Sequence, residues 1–165
     1  MPARARAIET QLLSQHLAKQ GYLEIASVGD SMYPLIREGD MCRFEPVLLE
    51  AVRKGDVLLF ATKAGHLVGH RFLKQYGERG ECFYVCKGDT NKFPDEPIRP
   101  QQIIGRLTLI RTASRRLIRV DGLLPQMWGV LAIHIPQMWR MLRWVIAYKR
   151  WKPAKRSASD RQAGG

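Results

Sequence analysis

Ser31, His70, Asp89 and Asp95 are the residues of this chain whose types could do chemistry together. Ser31 lies in Gly29-Asp30-Ser31-Met32-Tyr33-Pro34, where Gly29 frees the backbone to turn and Pro34 stiffens the next turn. A serine hydroxyl is a weak nucleophile and acts only beside a positioned base. His70, in Leu67-Val68-Gly69-His70-Arg71-Phe72, is the natural base, since imidazole both takes and returns a proton under physiological conditions. Asp95 or Asp89 would orient that imidazole and stabilise its charged form, completing a hydrolytic triad. Met32 and Pro34 follow the nucleophile and are the candidate substrate-binding residues, Met32 either packing inward or lining the substrate groove. Each signal alone is weak. A loop serine is ordinarily a turn residue, a strand histidine is more often structural, and Lys87-Gly88-Asp89-Thr90-Asn91 reads equally as a turn closed by its own side chains. His66 competes with His70 but sits beside Gly65 at a turn, while His16 and His134 fall in flanking helical segments without a partner motif.

Positioning these residues is a job for short strands. Tyr22 to Val28, Met41 to Val47, Val57 to Ala61, His66 to Leu73, Cys82 to Cys86 and Ile103 to Ile110 are rich in β-forming residues or alternate in polarity. Gly-Asp pairs at 29–30, 39–40, 55–56 and 88–89 punctuate them, and Gly77 to Gly80 reads as a turn. The pattern predicts a mainly antiparallel β domain over residues 22–111. Before it, Ile8, Leu12, Leu13 and Leu17 mark an amphipathic helix over 8–19 that stops at Gly21.

The chain has 165 residues, 45% of them apolar, so one domain with a sizeable core is expected. Its net charge of +12 points to an anionic partner. Seven basic residues and no acid fall between Arg140 and Arg156, away from the candidate site. The three cysteines, Cys42, Cys82 and Cys86, form no C-x-x-C pair, which argues against a disulfide framework or a zinc site and suits a reducing compartment. No metal and no cofactor is expected. Residues 1–20 carry no apolar segment of signal-peptide type. All four tryptophans lie beyond residue 127, and Pro-Gln-Met-Trp occurs at both 125–128 and 136–139. The stretch from Gly122 to Trp139 lacks Asp, Glu, Lys and Arg for 18 residues, but Pro125 and Pro136 interrupt it, so a spanning helix fits poorly. An interfacial segment with tryptophans at headgroup depth and basic residues around them fits better, with packing against the β domain as the alternative. Residues 152–165 read as a disordered basic tail.

Taken in order, these boxes resemble signal peptidase I and its relatives among the serine endopeptidases. Gly29-Asp30-Ser31-Met32-Tyr33-Pro34 with Gly39-Asp40 matches the serine box, and Gly55-Asp56-Val57-Leu58-Leu59-Phe60 matches the next. Gly69-His70-Arg71 resembles the Val-His-Arg of the endoplasmic-reticulum-like subtype, where most bacterial members have lysine as base. Lys87-Gly88-Asp89-Thr90-Asn91 with Asp95 resembles the acid box, with Thr90 where Asn is usual, and Ile104-Gly105-Arg106 the closing strand. The similarity covers residues 25–111. It implies a signal-peptidase-like antiparallel β domain over 22–111, which the residue patterns flank with a short N-terminal helix over 1–21 and a Trp-rich helical region over 112–151.

By the same resemblance Ser31 is the nucleophile, His70 the general base, Asp95 the acid that orients it and Asp89 a supporting carboxylate. The Ser31 N–H enters the oxyanion hole, while Gly29 stands where some members place an assisting serine hydroxyl. The implied activity is cleavage of a leader or signal-type peptide from a precursor through an acyl-enzyme. The peptide would be bound as an added strand with small side chains before the cut. Residues 122–156 would hold the protein peripherally on a membrane, on the cytoplasmic face given their basic charge. Rival readings are a self-cleaving repressor-like regulator and a non-catalytic peptide-binding protein on the same fold. The regulator would need a lysine base and a helix-turn-helix, and position 70 is histidine. A nucleic-acid partner is not expected, because aromatic and basic residues would then interleave on the strands.

Overall fold

The computed structural model describes residues 12–13, 15–135 and 137–162, with backbone only for 150 and 152–162. The start of the helix expected over 8–19 and the last three residues of the expected tail lie outside the described residues. Residues 15–20 are helical (α1), and Gly21, at φ +76°, ends the helix by donating its N–H to the Leu17 carbonyl at 2.9 Å.

Seven strands come next, namely β1 (Leu23–Ala26), β2 (Met41–Glu45), β3 (Val57–Ala61), β4 (Leu67–Glu78), β5 (Glu81–Lys87), β6 (Ile103–Arg111) and β7 (Leu117–Arg119). All pair antiparallel in one curled sheet of order β1-β2-β6-β3-β4-β5, with β7 also on β6. The chain is therefore mainly β, as its short punctuated strands predict.

β3 explains how one sheet makes two cores. Every residue of Val57–Ala61 is buried. Because side chains alternate across a strand, Val57 and Leu59 join a cluster with Met32, Ile36, Phe44 and Ile110, while Leu58 and Phe60 join Phe72, Tyr84, Cys86 and Ile98 on the other face. A continuous apolar run buried on both sides is what a central strand requires.

Two boundaries differ from expectation. β4 runs to Glu78, through the stretch that looked like a turn, and reverses over Arg79 and Gly80, both at positive φ (50° and 79°). That is the two-residue hairpin geometry whose twist matches the strands. β7 carries the sheet past residue 111, into a region expected to be helical, because Leu117–Arg119 pairs with Leu109–Arg111 of β6. The C-terminal region then forms two helices, α2 (Leu123–His134) and α3 (Met138–Gln162). Pro125 sits in the first turn of α2, where a missing N–H costs nothing. α3 continues as helical backbone across residues 152–162, part of the stretch expected to be disordered, even though Pro153 there withdraws one backbone donor. No helix among the described residues is long and apolar enough to cross a membrane.

Candidate active site

The turn that carries Ser31 is built by backbone demands. Gly29 adopts φ +80°, a conformation that side chains resist. The chain then turns over Asp30 to Tyr33, with the Tyr33 N–H donating to the Asp30 carbonyl at 3.1 Å and a cis Tyr33–Pro34 bond after it. Met32 is 4% exposed and packs with Ile36 in the core, pinning the turn from beneath. Of the two fates the sequence allows Met32, packing inward or lining a substrate groove, the structure shows it packed inward. A long apolar side chain on the inner side of a tight turn gains more from the core than from water. Pro34 stays half-exposed beside Ser31.

The acid box docks directly on this turn. The Thr90 N–H donates to the Ser31 carbonyl at 3.0 Å, and its hydroxyl donates to the Asp30 carbonyl at 3.1 Å. Threonine thus satisfies the carbonyls here although asparagine is usual in the resembling family. Gly88 permits the approach, since a Cβ there would stand 3.0 Å from the Ser31 carbonyl oxygen and 2.8 Å from Asn91 Nδ2. Further along, the Asp95 N–H donates to the Cys86 carbonyl at 2.8 Å, which fixes the carboxylate beside the end of β5.

β4 brings the base. Its alternation sends His70 and Phe72 to one face and Arg71 to the other. His70 is 7% exposed, pairs across the ladder with Leu58, and meets the Phe60 ring edge-on with centroids 6.3 Å apart. Its Nδ1 lies 2.7 Å from Asp95 Oδ2 and its Nε2 lies 3.0 Å from Ser31 Oγ. In the tautomer this arrangement selects, Nδ1–H donates to the carboxylate and Nε2 accepts the serine proton. The three residues come from a turn, a strand and a loop separated by up to 64 positions, yet form one continuous relay.

Asp89 is elsewhere. Both its oxygens receive the Arg71 guanidinium at 2.7 Å, and Oδ2 also accepts the Trp128 indole N–H at 2.8 Å. Arg71 gives its remaining arm to the Gly55 carbonyl at 2.7 Å. Arg71 and Asp89 are 2% and 5% exposed, so this is a buried, bidentate, fully partnered pair. Of the two acids in the box, Asp95 therefore faces the histidine, and Asp89 supports the loop.

Three contributors escaped the sequence reading. Arg71 was visible only as a letter in the base motif, though a buried Asp in the same set of boxes calls for a buried cation. Trp128 and Lys149 come from α2 and α3, which had no predicted contact with the site. Lys149 donates to the Tyr33 hydroxyl at 2.6 Å and lies 5.0 Å from that ring's centroid. Of the competing histidines, His66 is exposed, and His134 Nδ1 bonds the Val130 carbonyl within its own helix. Cys86, beside Asp95, has its thiol pushed up to about 12, by burial first and then by the Asp95 charge, so it stays neutral next to the relay. Among the described residues no group of three or more His, Cys, Asp or Glu side chains could hold a metal ion. No protein-family model and no curated protein matches the chain.

Proposed function

We propose that this chain is a serine endopeptidase of the signal-peptidase I-like kind, in its Ser-His-Asp form, and that its curled sheet is a signal-peptidase-like catalytic domain. One observation carries the reading, namely the relay from Ser31 Oγ through His70 to Asp95, with links of 3.0 and 2.7 Å. Ser31 Oγ attacks the carbonyl carbon of the scissile bond while its proton passes to His70 Nε2. The tetrahedral intermediate collapses as that proton moves to the leaving amine, and water activated by the same base hydrolyses the acyl-enzyme. Asp95 holds the tautomer and stabilises the imidazolium. The Ser31 N–H, which donates to no backbone carbonyl among the described residues, is available to the oxyanion. The substrate is a leader or signal-type peptide of a precursor protein, added as a strand beside the nucleophile. The exposed apolar residues of α2 and α3 and their basic neighbours hold the protein peripherally at a membrane, on the cytoplasmic face.

The test is cleavage of a peptide library containing small residues before candidate cut sites, read by mass spectrometry, together with labelling by a fluorophosphonate. Wild type is expected to cleave and to label. Ser31→Ala should lose at least about three orders of magnitude in rate while staying folded. A folded Ser31→Ala protein that cleaves at the wild-type rate would remove the assignment.

A further inference from the structure

A cavity of about 880 Å³ lies between the sheet and α2, and none of Ser31, His70 and Asp95 lines it. Its cationic wall consists of Arg43, Arg53, Lys54, Arg71, Arg106 and Arg119. Three carboxylates, Glu45, Asp56 and Asp121, face them. Four of the six cations are held in ion pairs, Arg43 with Glu24, Arg71 with Asp89, Arg106 with Asp56 and Arg119 with Asp121. Arg53 and Lys54 are exposed and have no ion pair among the described residues. With the partners Glu24 and Asp89 counted, six cations still face five carboxylates, and two exposed lining cations without an ion pair among the described residues define a site for an anion.

The fourth side identifies what kind of anion. α2 turns Pro125, Gln126, Gly129 and Val130 to the cavity. The same helix leaves Leu123, Leu124, Met127 and Leu131 exposed, with Leu124 at 80%. Positions 123, 127, 130 and 131 recur at helical spacing and make one apolar stripe beside the cavity. A soluble anion would gain nothing from that stripe. A lipid would use both parts, with its phosphate at Arg53 and Lys54 and its acyl chains along α2.

We propose that this cleft is a binding site for the phosphate headgroup of an anionic phospholipid, with the α2 stripe entering the adjoining acyl layer. The proposal rests on the membrane association proposed above, not on the peptidase activity, and it locates that association at a second site instead of in the basic charge of α3. It is tested on the full chain by co-sedimentation with vesicles of phosphatidylcholine alone and of phosphatidylcholine with phosphatidylglycerol. Wild type should prefer the anionic vesicles. Arg53→Glu with Lys54→Glu should lower that partition about tenfold or more, and Met127→Asp should weaken binding to both vesicles. An Arg140→Glu, Arg143→Glu variant should keep most of the preference. If the α3 variant abolishes binding and the Arg53, Lys54 variant does not, the cleft is not the site, although membrane association stands. Absence of vesicle binding by wild type removes both. Calorimetric binding of glycerol phosphate without vesicle binding would assign the cleft to a soluble phosphate and overturn the lipid. Preferential binding of an oligonucleotide over vesicles would overturn it too.

Discussion

Two aspartates six positions apart do different work, and the difference can be measured. The side-chain hydrogen bond of Asp95 goes to the imidazole, and its N–H bond to the Cys86 carbonyl survives substitution, so Asp95→Asn should leave the fold intact. It should lower the rate of peptide cleavage by about three to four orders of magnitude, because the amide no longer enforces the tautomer. Asp89→Asn should do the opposite. Arg71 would remain buried beside a neutral group, at a cost of about 3–5 kcal/mol read as a lowered urea midpoint. Equal stability of the two variants would contradict the division. The cysteines offer a second check at this scale. Cys42 and Cys86 both have thiols pushed up to about 12, by burial and then by the charges of Asp40 and Asp95 respectively, whereas Cys82 is exposed. A disulfide reagent near pH 8 should therefore modify Cys82 quickly and the other two only after denaturation. The same shift sets the sign for stability. The folded state keeps two protons that the unfolded chain releases above 9.0, so their contribution is whole below 9.0 and lost as pH climbs towards 12. Urea midpoints should fall over that interval.

At the scale of elements, β3 and α2 show what a sequence reveals and what it conceals. The β3 run was legible because five consecutive apolar residues between turn signals have few other fates. Leu58→Ala should cost about 2–5 kcal/mol, measured by denaturation, since Leu58 is fully buried between two flanking strands. The relay residues were legible as types and in order, because the turn at Gly29 and the alternation of β4 are local. The choice of Asp95 over Asp89 was legible only through the family resemblance, since spacing leaves both in one loop and the fold decides which carboxylate meets the histidine. β7 was missed for a related reason. Three residues are too short for a periodic signal, and their pairing depends on the turn over Thr112 to Arg116, where Arg115 takes φ 62°. Trp128 escaped because an indole in an apolar stretch looks the same whether it faces lipid, core or carboxylate. Trp128→Phe keeps an aromatic ring and removes the donor to Asp89, and should lower stability by about 1–3 kcal/mol with the relay intact.

At the scale of the molecule, the C-terminal helices matter less as an appendage than as a wall of the β domain. Composition divides the chain near residue 112, yet contacts cross that division, beginning with the pairing of β7 on β6, and two of them reach the surroundings of Ser31 and His70. Trp128 and Gly129 of α2 close over the Arg71–Asp89 pair, where a Cβ at Gly129 would come within 3.0 Å of Arg71 Nη1, and Lys149 of α3 reaches Tyr33 two residues from the nucleophile. Through Asp89 the first contact bears on the loop that holds the Ser31 carbonyl, and Arg71 is the chain neighbour of the base. Helix docking and relay geometry are thus linked by a chain of direct contacts, and a membrane surface that engages α2 would act on the same wall. Removing residues 122–165 leaves Ser31, His70 and Asp95 in the chain but exposes the buried ion pair to water on one side. The truncated protein should melt about 5 °C or more below the full chain. Its Ser31 should react with a fluorophosphonate more slowly even at temperatures where it is folded. A truncated chain with an unchanged melting temperature and labelling rate would make the helices a separable module. A chain that loses labelling while circular dichroism still reports the sheet would place the loss in the support of the nucleophile turn, not in global unfolding.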